Sequence, residues 1–216
     1  MKIEQRDGVW CPKYDTDCFP WTMTELWIPK HLADTCDKLG IARQGVIHAG
    51  GNMGIYTMEY ARLFEQVYVF EPESTNFSAL VMNCVLLENV FPYKAALNNV
   101  NAPITLVNRA PNSAGNWQVG HAAPDTCIIP SITIDNLGLS NVSLIHLDME
   151  GFEGIALQGA EQTIRRCKPL IAFEVLGGWV SYSYTLELLT QYLVGLGYLF
   201  NATYGNEMMF YTNEPK

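Results

Sequence analysis

The 216-residue chain is long enough for one well-buried core, since a domain of this size hides roughly 70% of the surface its unfolded chain exposes. Its composition, 49% hydrophobic, 12% aromatic and 16% charged with no low-complexity tract, excludes a disordered or fibrous chain. Twenty-two acids against 13 bases give a net charge of -9, which disfavours nucleic acid and polyanionic membrane surfaces as partners.

In chain order, residues 1–22 are rich in Pro, Asp, Cys and Trp and read as an irregular extension. A helical pattern then runs from Thr22 to about Leu39, with Gly40 as its stop. Residues 1–40 are thus expected to form an N-terminal extension with a helix, and 41–216 the main domain. The first clear strand is Gly45 to Ala49, and "IYTMEYARLF" after it has helical spacing, with Ile55, Met58, Ala61, Leu63 and Phe64 toward a core. "QVYVFEP" is a short buried strand closed by Pro72, Ser74 suits the N-cap of the next helix, and "FPYKAAL" makes a third strand. Three β units and two helices within about 55 residues predict an α/β fold with a doubly wound, mostly parallel, Rossmann-like sheet.

Residues 98–134 interrupt the alternation. Strand-like pieces at 103–107 and 126–133 flank a stretch rich in Gly, Ser, Asn and Pro, which predicts an inserted antiparallel excursion over the sheet edge. Trp117 and His121 in it are candidates to line an acceptor pocket, and Asp135 beyond it suits the N-cap of a short helix. Alternation resumes with "VSLIHLDMEG" as a strand, "EGIALQGAEQTIRR" as a helix, "KPLIAFEV" as a strand and a helix through "SYTLELLTQYLVGL". A C-terminal antiparallel hairpin around Tyr204-Gly205-Asn206 closes the pattern.

Six cysteines are scattered without a C-x-x-C or paired-His spacing that would suggest zinc, strand-end carboxylates could take magnesium but no spacing requires a metal, and Cys84 and Cys167 read as small buried hydrophobes. No signal-like segment opens the chain and no apolar run reaches about 18 residues, which makes a reducing cytoplasm the expected compartment.

The chemistry concentrates first in "VIHAGGNMGIYT", where a strand feeds Gly50, Gly51 and Gly54 and then a helix N-terminus, so backbone N–H groups and the helix dipole face a ligand. The register matches G-x-G-x-x-G only loosely, and no Gly-Lys-Ser/Thr follows. A plainer role for Gly50 and Gly54 is tight strand-to-helix packing. Glu71, 17 residues past Gly54 and followed by Pro72, ends the second strand where an acid can accept ribose hydroxyls. That suits any adenosine-bearing cofactor, nicotinamide or S-adenosylmethionine alike. None of the 11 tyrosines has a lysine four residues on, as a short-chain dehydrogenase would need, and the terminal hairpin also speaks against a nicotinamide enzyme.

"GGNMGIYT" with "VFEP", "HLDMEGFEGIALQGA" and "KPLIAFEV" resembles the FkbM-type methyltransferases, a branch of the class I S-adenosylmethionine-dependent fold, over residues 45–176. Gly50, Asn52, Gly54, Tyr56 and Thr57 match the family's first block, while Gly51 replaces an alanine and His48 an acid. In the second block Asp148, Glu150, Gly151 and Glu153 match, and His146 stands where lysine is usual. The resemblance implies that S-adenosylmethionine is held by His48, Ala49, Gly50, Asn52, Gly54, Glu71, Pro72 and Asp148. At the His48 position the family's acid serves the amino-acid end of the cofactor, and a neutral imidazole brings no charge there.

Asp148, at the carboxyl end of the fourth strand, is expected to face both the methionine end and the acceptor, or else to cap the following turn. Glu150 stands as a base, a substrate ligand or a structural acid, and Glu174 at the end of the fifth strand as an acceptor ligand. Glu153 reads as a first-turn acid complementing a helix dipole. The expected activity is O-methylation of a hydroxyl on a sugar, glycan or small molecule. The alternatives are a nicotinamide-dependent oxidoreductase and an inactive cofactor-binding module. The oligomeric state is not written in the sequence.

Overall fold

The computed structural model describes residues 2–110, 112–120, 126–175 and 185–213. The first 22 residues are not irregular. β1 (Ile3–Arg6) and β2 (Val9–Pro12) form an antiparallel hairpin whose two-residue loop, Asp7-Gly8, has φ of +50° and +82°, as a type I′ turn requires. The expected helix over 22–39 is two helices, α1 (Cys18–Thr24) and α2 (Trp27–Lys38). Pro29 is the reason. In one continuous helix its ring would meet the carbonyl of Glu25, whereas in the first turn of α2 its missing N–H has no intrahelical partner to lose.

β3 (Gly45–Ala49), α3 (Ile55–Leu63), β4 (Gln66–Phe70), α4 (Ser74–Cys84) and β5 (Val90–Tyr93) follow as the hydrophobic periodicity predicts. Glu73, not Ser74, caps α4, its carboxylate accepting from the backbone N–H of Thr75 and Asn76 at 2.7 and 2.8 Å. In α3 the core-facing set also differs: Ile55, Tyr56, Thr57 and Tyr60 are buried, with Met58, Ala61 and Leu63 half-buried. β6 (Ala96–Leu97) leads into β7 (Ile104–Asn108), β8 (Trp117–Val119) and β9 (Thr126–Ile129), an antiparallel sheet ordered β8-β7-β9. β10 (Ser131–Ile132) returns to pair with β6.

A short 3-10 helix, Ile134–Leu137, is capped by the Thr133 side chain. Asp135 instead reaches forward and accepts from Gln162 and Thr163 N–H at the start of a later helix. β11 (Val142–Leu147) is followed by two helices where one is expected, α5 (Glu153–Gln158) and α6 (Glu161–Cys167). The break falls at Gly159, where an added Cβ would lie 2.1 Å from the Asn98 carbonyl oxygen. β12 (Leu170–Glu174), α7 (Leu186–Gly195), β13 (Leu199–Tyr204) and β14 (Glu207–Tyr211) complete the order.

The main sheet runs β5-β4-β3-β11-β12-β14-β13. β14 runs against the direction of the other six strands, so the terminal hairpin inserts its second strand beside β12. β3 and β11 are buried on both faces, hence their near-continuous apolar sequence. Val46, Val69, Leu144 and Ala172 meet α2, α3 and α4 on one face, and Ile47, Phe70, Ile145 and Phe173 meet α5, α6 and α7 on the other. Edge strand β5 carries Pro92, where no ladder donor is needed.

Candidate active site

β3 and β11 are neighbours at the centre of the sheet, yet their following helices pack on opposite faces. Such a switch point opens a crevice beyond the carboxyl ends of the strands. A cleft of about 370 Å³ occupies it. His48, Ala49, Gly50, Asn52, Glu71 and Pro72 line that cleft, together with Asp148, Glu150 and Glu174. Gly54 does not. It starts α3 at φ +89° against Leu80, a packing role.

Gly50 is at φ +83°, and a Cβ on it would sit 1.9 Å from the Asp148 carbonyl oxygen. The N–H groups of Gly50 and Gly51 are bound to the Phe70 carbonyl, which folds the turn back over β4. Asn52, at φ +47°, gives its backbone N–H to Glu71 Oε2 at 2.7 Å, and Glu71 Oε1 accepts from Glu73 N–H at 2.7 Å. Burial pushes the Glu71 carboxyl up to about 8, against those two stabilising bonds. The Asn76 side chain also bonds to the group, which lines the cleft where a ligand hydroxyl can meet it.

The carboxyls at the other end gather around Asp148. Asp148 and Glu174 share a hydrogen bond; burial and the Glu207 charge raise Asp148 to about 6, while burial and the Asp148 charge raise Glu174 further. Two buried carboxyls in contact cannot both ionise, so the pair holds one proton near neutral pH. Glu150 follows on a turn at φ +56°, unusual for a residue with a side chain, and burial and Asp148 push it up to about 7. The Gln118 amide reaches Glu150 Oε2 at 3.5 Å. Glu153 is more than a dipole partner: buried, it accepts from Met149 and Gly151 N–H at 2.7 and 3.3 Å and so holds the Asp148–Gly151 turn in shape.

His48 lies within the sheet, buried, directly opposite His146 in the β3–β11 register. The two rings are 5.4 Å apart and nearly coplanar in orientation, at 5°. His48 Nδ1 bonds to Thr57 Oγ1 at 3.1 Å, and its Nε2 has no protein partner. Burial and His146 lower its pKa, so the ring is neutral. His146 Nδ1 meets the Tyr60 hydroxyl at 2.7 Å, and its Nε2 lies 3.3 Å from Glu207 Oε2 without hydrogen-bond alignment.

Residues absent from the sequence expectation also form the walls. Trp21, Thr22 and Glu25 come from α1 and the turn after it, and the Tyr56 hydroxyl donates to Glu25 Oε2 at 3.1 Å. The N-terminal segment is fixed there by buried Asp15, whose carboxylate accepts from Cys18, Phe19 and Ala114 N–H. Asn83 clamps the first hairpin by bonding both Trp10 backbone groups and the Met53 carbonyl of the glycine turn. Trp117 lines the cleft as expected, while His121 lies outside the described residues.

A glycine cradle with no room for a Cβ, an unpartnered His48 Nε2 and an acid-rich strand end fit the adenosine and methionine ends of S-adenosylmethionine. With the antiparallel strand inserted next to the sheet edge, the fold is that of the class I methyltransferases. The methyltransferase FkbM domain matches residues 48–200, and the chain belongs to the FkbM methyltransferase family. That membership sets aside the nicotinamide reading.

Among solved structures, methyltransferase FkbM from Methylobacillus flagellatus KT superposes with a TM-score of 0.56 at 18% identity, covering 79% of this chain and 43% of that one. The chain thus spans less than half the length of that protein. An rRNA methylase from Streptococcus thermophilus gives 0.52 at 11% identity over 86% of this chain and 97% of that one. The N-methyltransferase NodS from Bradyrhizobium japonicum WM9 gives 0.50 at 8% over 90% and 98%. At these identities the likeness is one of fold. No curated protein matches the chain. Among the described residues, no helix is long and apolar enough to cross a membrane.

Proposed function

We propose that the protein transfers a methyl group from S-adenosylmethionine to a hydroxyl of a small molecule or glycan. The observation that carries the reading is the cleft in which the Gly50 cradle, Glu71 and the Asp148–Glu174 pair meet. Gly50, Asn52, Glu71 and Asp148 hold the cofactor, with Pro72 and Ala49 closing its walls. The cofactor supplies a methyl carbon on a positively charged sulfur. The chain aligns the acceptor oxygen with that carbon, a proximity effect rather than covalent catalysis. Glu150, poised near 7 beside the cleft, takes the hydroxyl proton as the C–O bond forms and the C–S bond breaks, its electron pair passing to sulfur.

The acidic cleft and the net charge of -9 support an acceptor other than nucleic acid. Among the described residues no cysteine is in a disulfide, which suits a reducing cytoplasm. Calorimetric titration with S-adenosylhomocysteine tests the reading. Saturable binding that Gly50→Arg abolishes is expected, and absence of heat at millimolar ligand overturns it.

A further inference from the structure

We propose that the acceptor is a cation: a small hydroxylated molecule carrying a protonated amine, seated among Glu25, Glu150 and Glu174 and the rings of Trp21, Tyr56 and Trp117. This deepens the methyltransferase reading and rests on it. All six side chains line the one cleft. Among the described residues lining it there is no lysine or arginine, whereas Asp17, Glu25, Glu71, Asp148, Glu150 and Glu174 all contribute carboxyls.

The cofactor does not use up this charge. S-adenosylmethionine carries a sulfonium, an ammonium and a carboxylate, a net charge of +1. The Asp148–Glu174 pair, sharing one proton, retains a single negative charge to balance it. Glu25 and Glu150 remain, and among the described residues neither has an ion-pair partner. Glu25 is held in place by the Tyr56 hydroxyl and Glu150 by the Gln118 amide, so both are positioned without an opposite charge beside them.

The aromatic walls point the same way. Trp21 is 63% exposed while lining the cleft, and Trp117 and Tyr56 contribute further rings. An ammonium gains from carboxylates and from the negative faces of rings together, while a phosphate or carboxylate is repelled by both. Among the described residues lining the cleft, His48 is the one imidazole, its ring fully buried in the wall. Because the ring is neutral, it does not offset the negative field of the acids.

The test uses the whole chain saturated with S-adenosylhomocysteine and matched probes that differ only in charge: glucosamine, glucose and glucuronate, and tyramine, tyrosol and 4-hydroxyphenylacetate. Affinities are read by calorimetry and by quenching of tryptophan fluorescence. Within at least one set the amine is expected to bind tenfold or more tighter than the neutral member, with the acid weakest. Glu25→Gln and Glu150→Gln should each reduce that preference, and 0.5 M salt should weaken it. Equal binding within both sets, preference for a neutral or acidic member, or no binding by any probe overturns the proposal. Failure of S-adenosylhomocysteine itself to bind refutes instead the methyltransferase reading beneath it.

Discussion

Gly50→Ala is the sharpest test of how the glycine turn is built. At φ +83° an alanine takes on the left-handed strain of about 1–2 kcal/mol. Its Cβ would also stand 1.9 Å from the Asp148 carbonyl oxygen and 2.9 Å from that carbonyl carbon. These are backbone atoms of the peptide whose Met149 N–H is bound to Glu153 Oε1 at 2.7 Å, and Asp148 N–H is itself bound to Ala49 O at 3.0 Å, so no side chain can swing aside. Overpacking of this kind typically adds about 1–3 kcal/mol, for a total of about 2–5 kcal/mol. Gly138→Ala is the control: φ is +63° but nothing lies within 4 Å of the added carbon, so only the conformational strain remains. Urea denaturation should show Gly50→Ala less stable than Gly138→Ala by about 1–3 kcal/mol at an unchanged m-value, with S-adenosylhomocysteine affinity lost only in the former. Equal losses in the two variants would falsify the claim that the turn is packed directly on the Asp148 backbone.

Three further outcomes follow from the same geometry. Glu153, whose folded-state pKa of about 8 lies above its ordinary 4.5, binds a proton in the folded state that the unfolded chain has released. Its contribution therefore falls as pH rises from about 4.5 to about 8, by an amount on the order of a few kcal/mol, and Glu153→Gln should flatten the stability profile measured between pH 5 and 8.5. Asp15→Ala leaves the N–H groups of Cys18, Phe19 and Ala114 without their acceptor, a loss of about 2–4 kcal/mol, and hydrogen exchange should speed up in 15–24 and 113–117 together. Unchanged exchange in 113–117 would show that the two segments are not tied through this carboxylate. Gly51→Ala restores the family's alanine, but its Cβ would meet Val69 Cγ2 at 2.4 Å and Leu80 Cδ1 at 2.7 Å. A loss of about 1–3 kcal/mol is expected, relieved in part when Leu80→Ala is added, and additive losses in the double variant would refute the packing conflict.

What could be read in the sequence was set by how local its cause is. β3, β11 and β12 are legible because strands buried on both faces must be apolar throughout, and glycine or proline punctuates their ends. The first hairpin carries the Asp-Gly signal at residues 7–8, yet four-residue strands ending at Pro12 do not hold alone; Asn83, 73 positions away, fastens them. Glu25 had no local mark, since its partner Tyr56 is 31 residues distant, and Asp15 caps Cys18 and Phe19 locally but reaches the site through Ala114, 99 residues away.

The two histidines show the limit most clearly. Read along the chain, His48 and His146 are separate departures from the family pattern, one losing an acid and the other a lysine. Register makes them a single cross-strand pair, with stacked rings 5.4 Å apart. An acid and a lysine at those positions would face each other across the pair, whereas burial and His146 keep the His48 ring neutral. What changes is the kind of contact: His48 Nε2 can offer a single directional hydrogen bond where the family's acid would offer a charge.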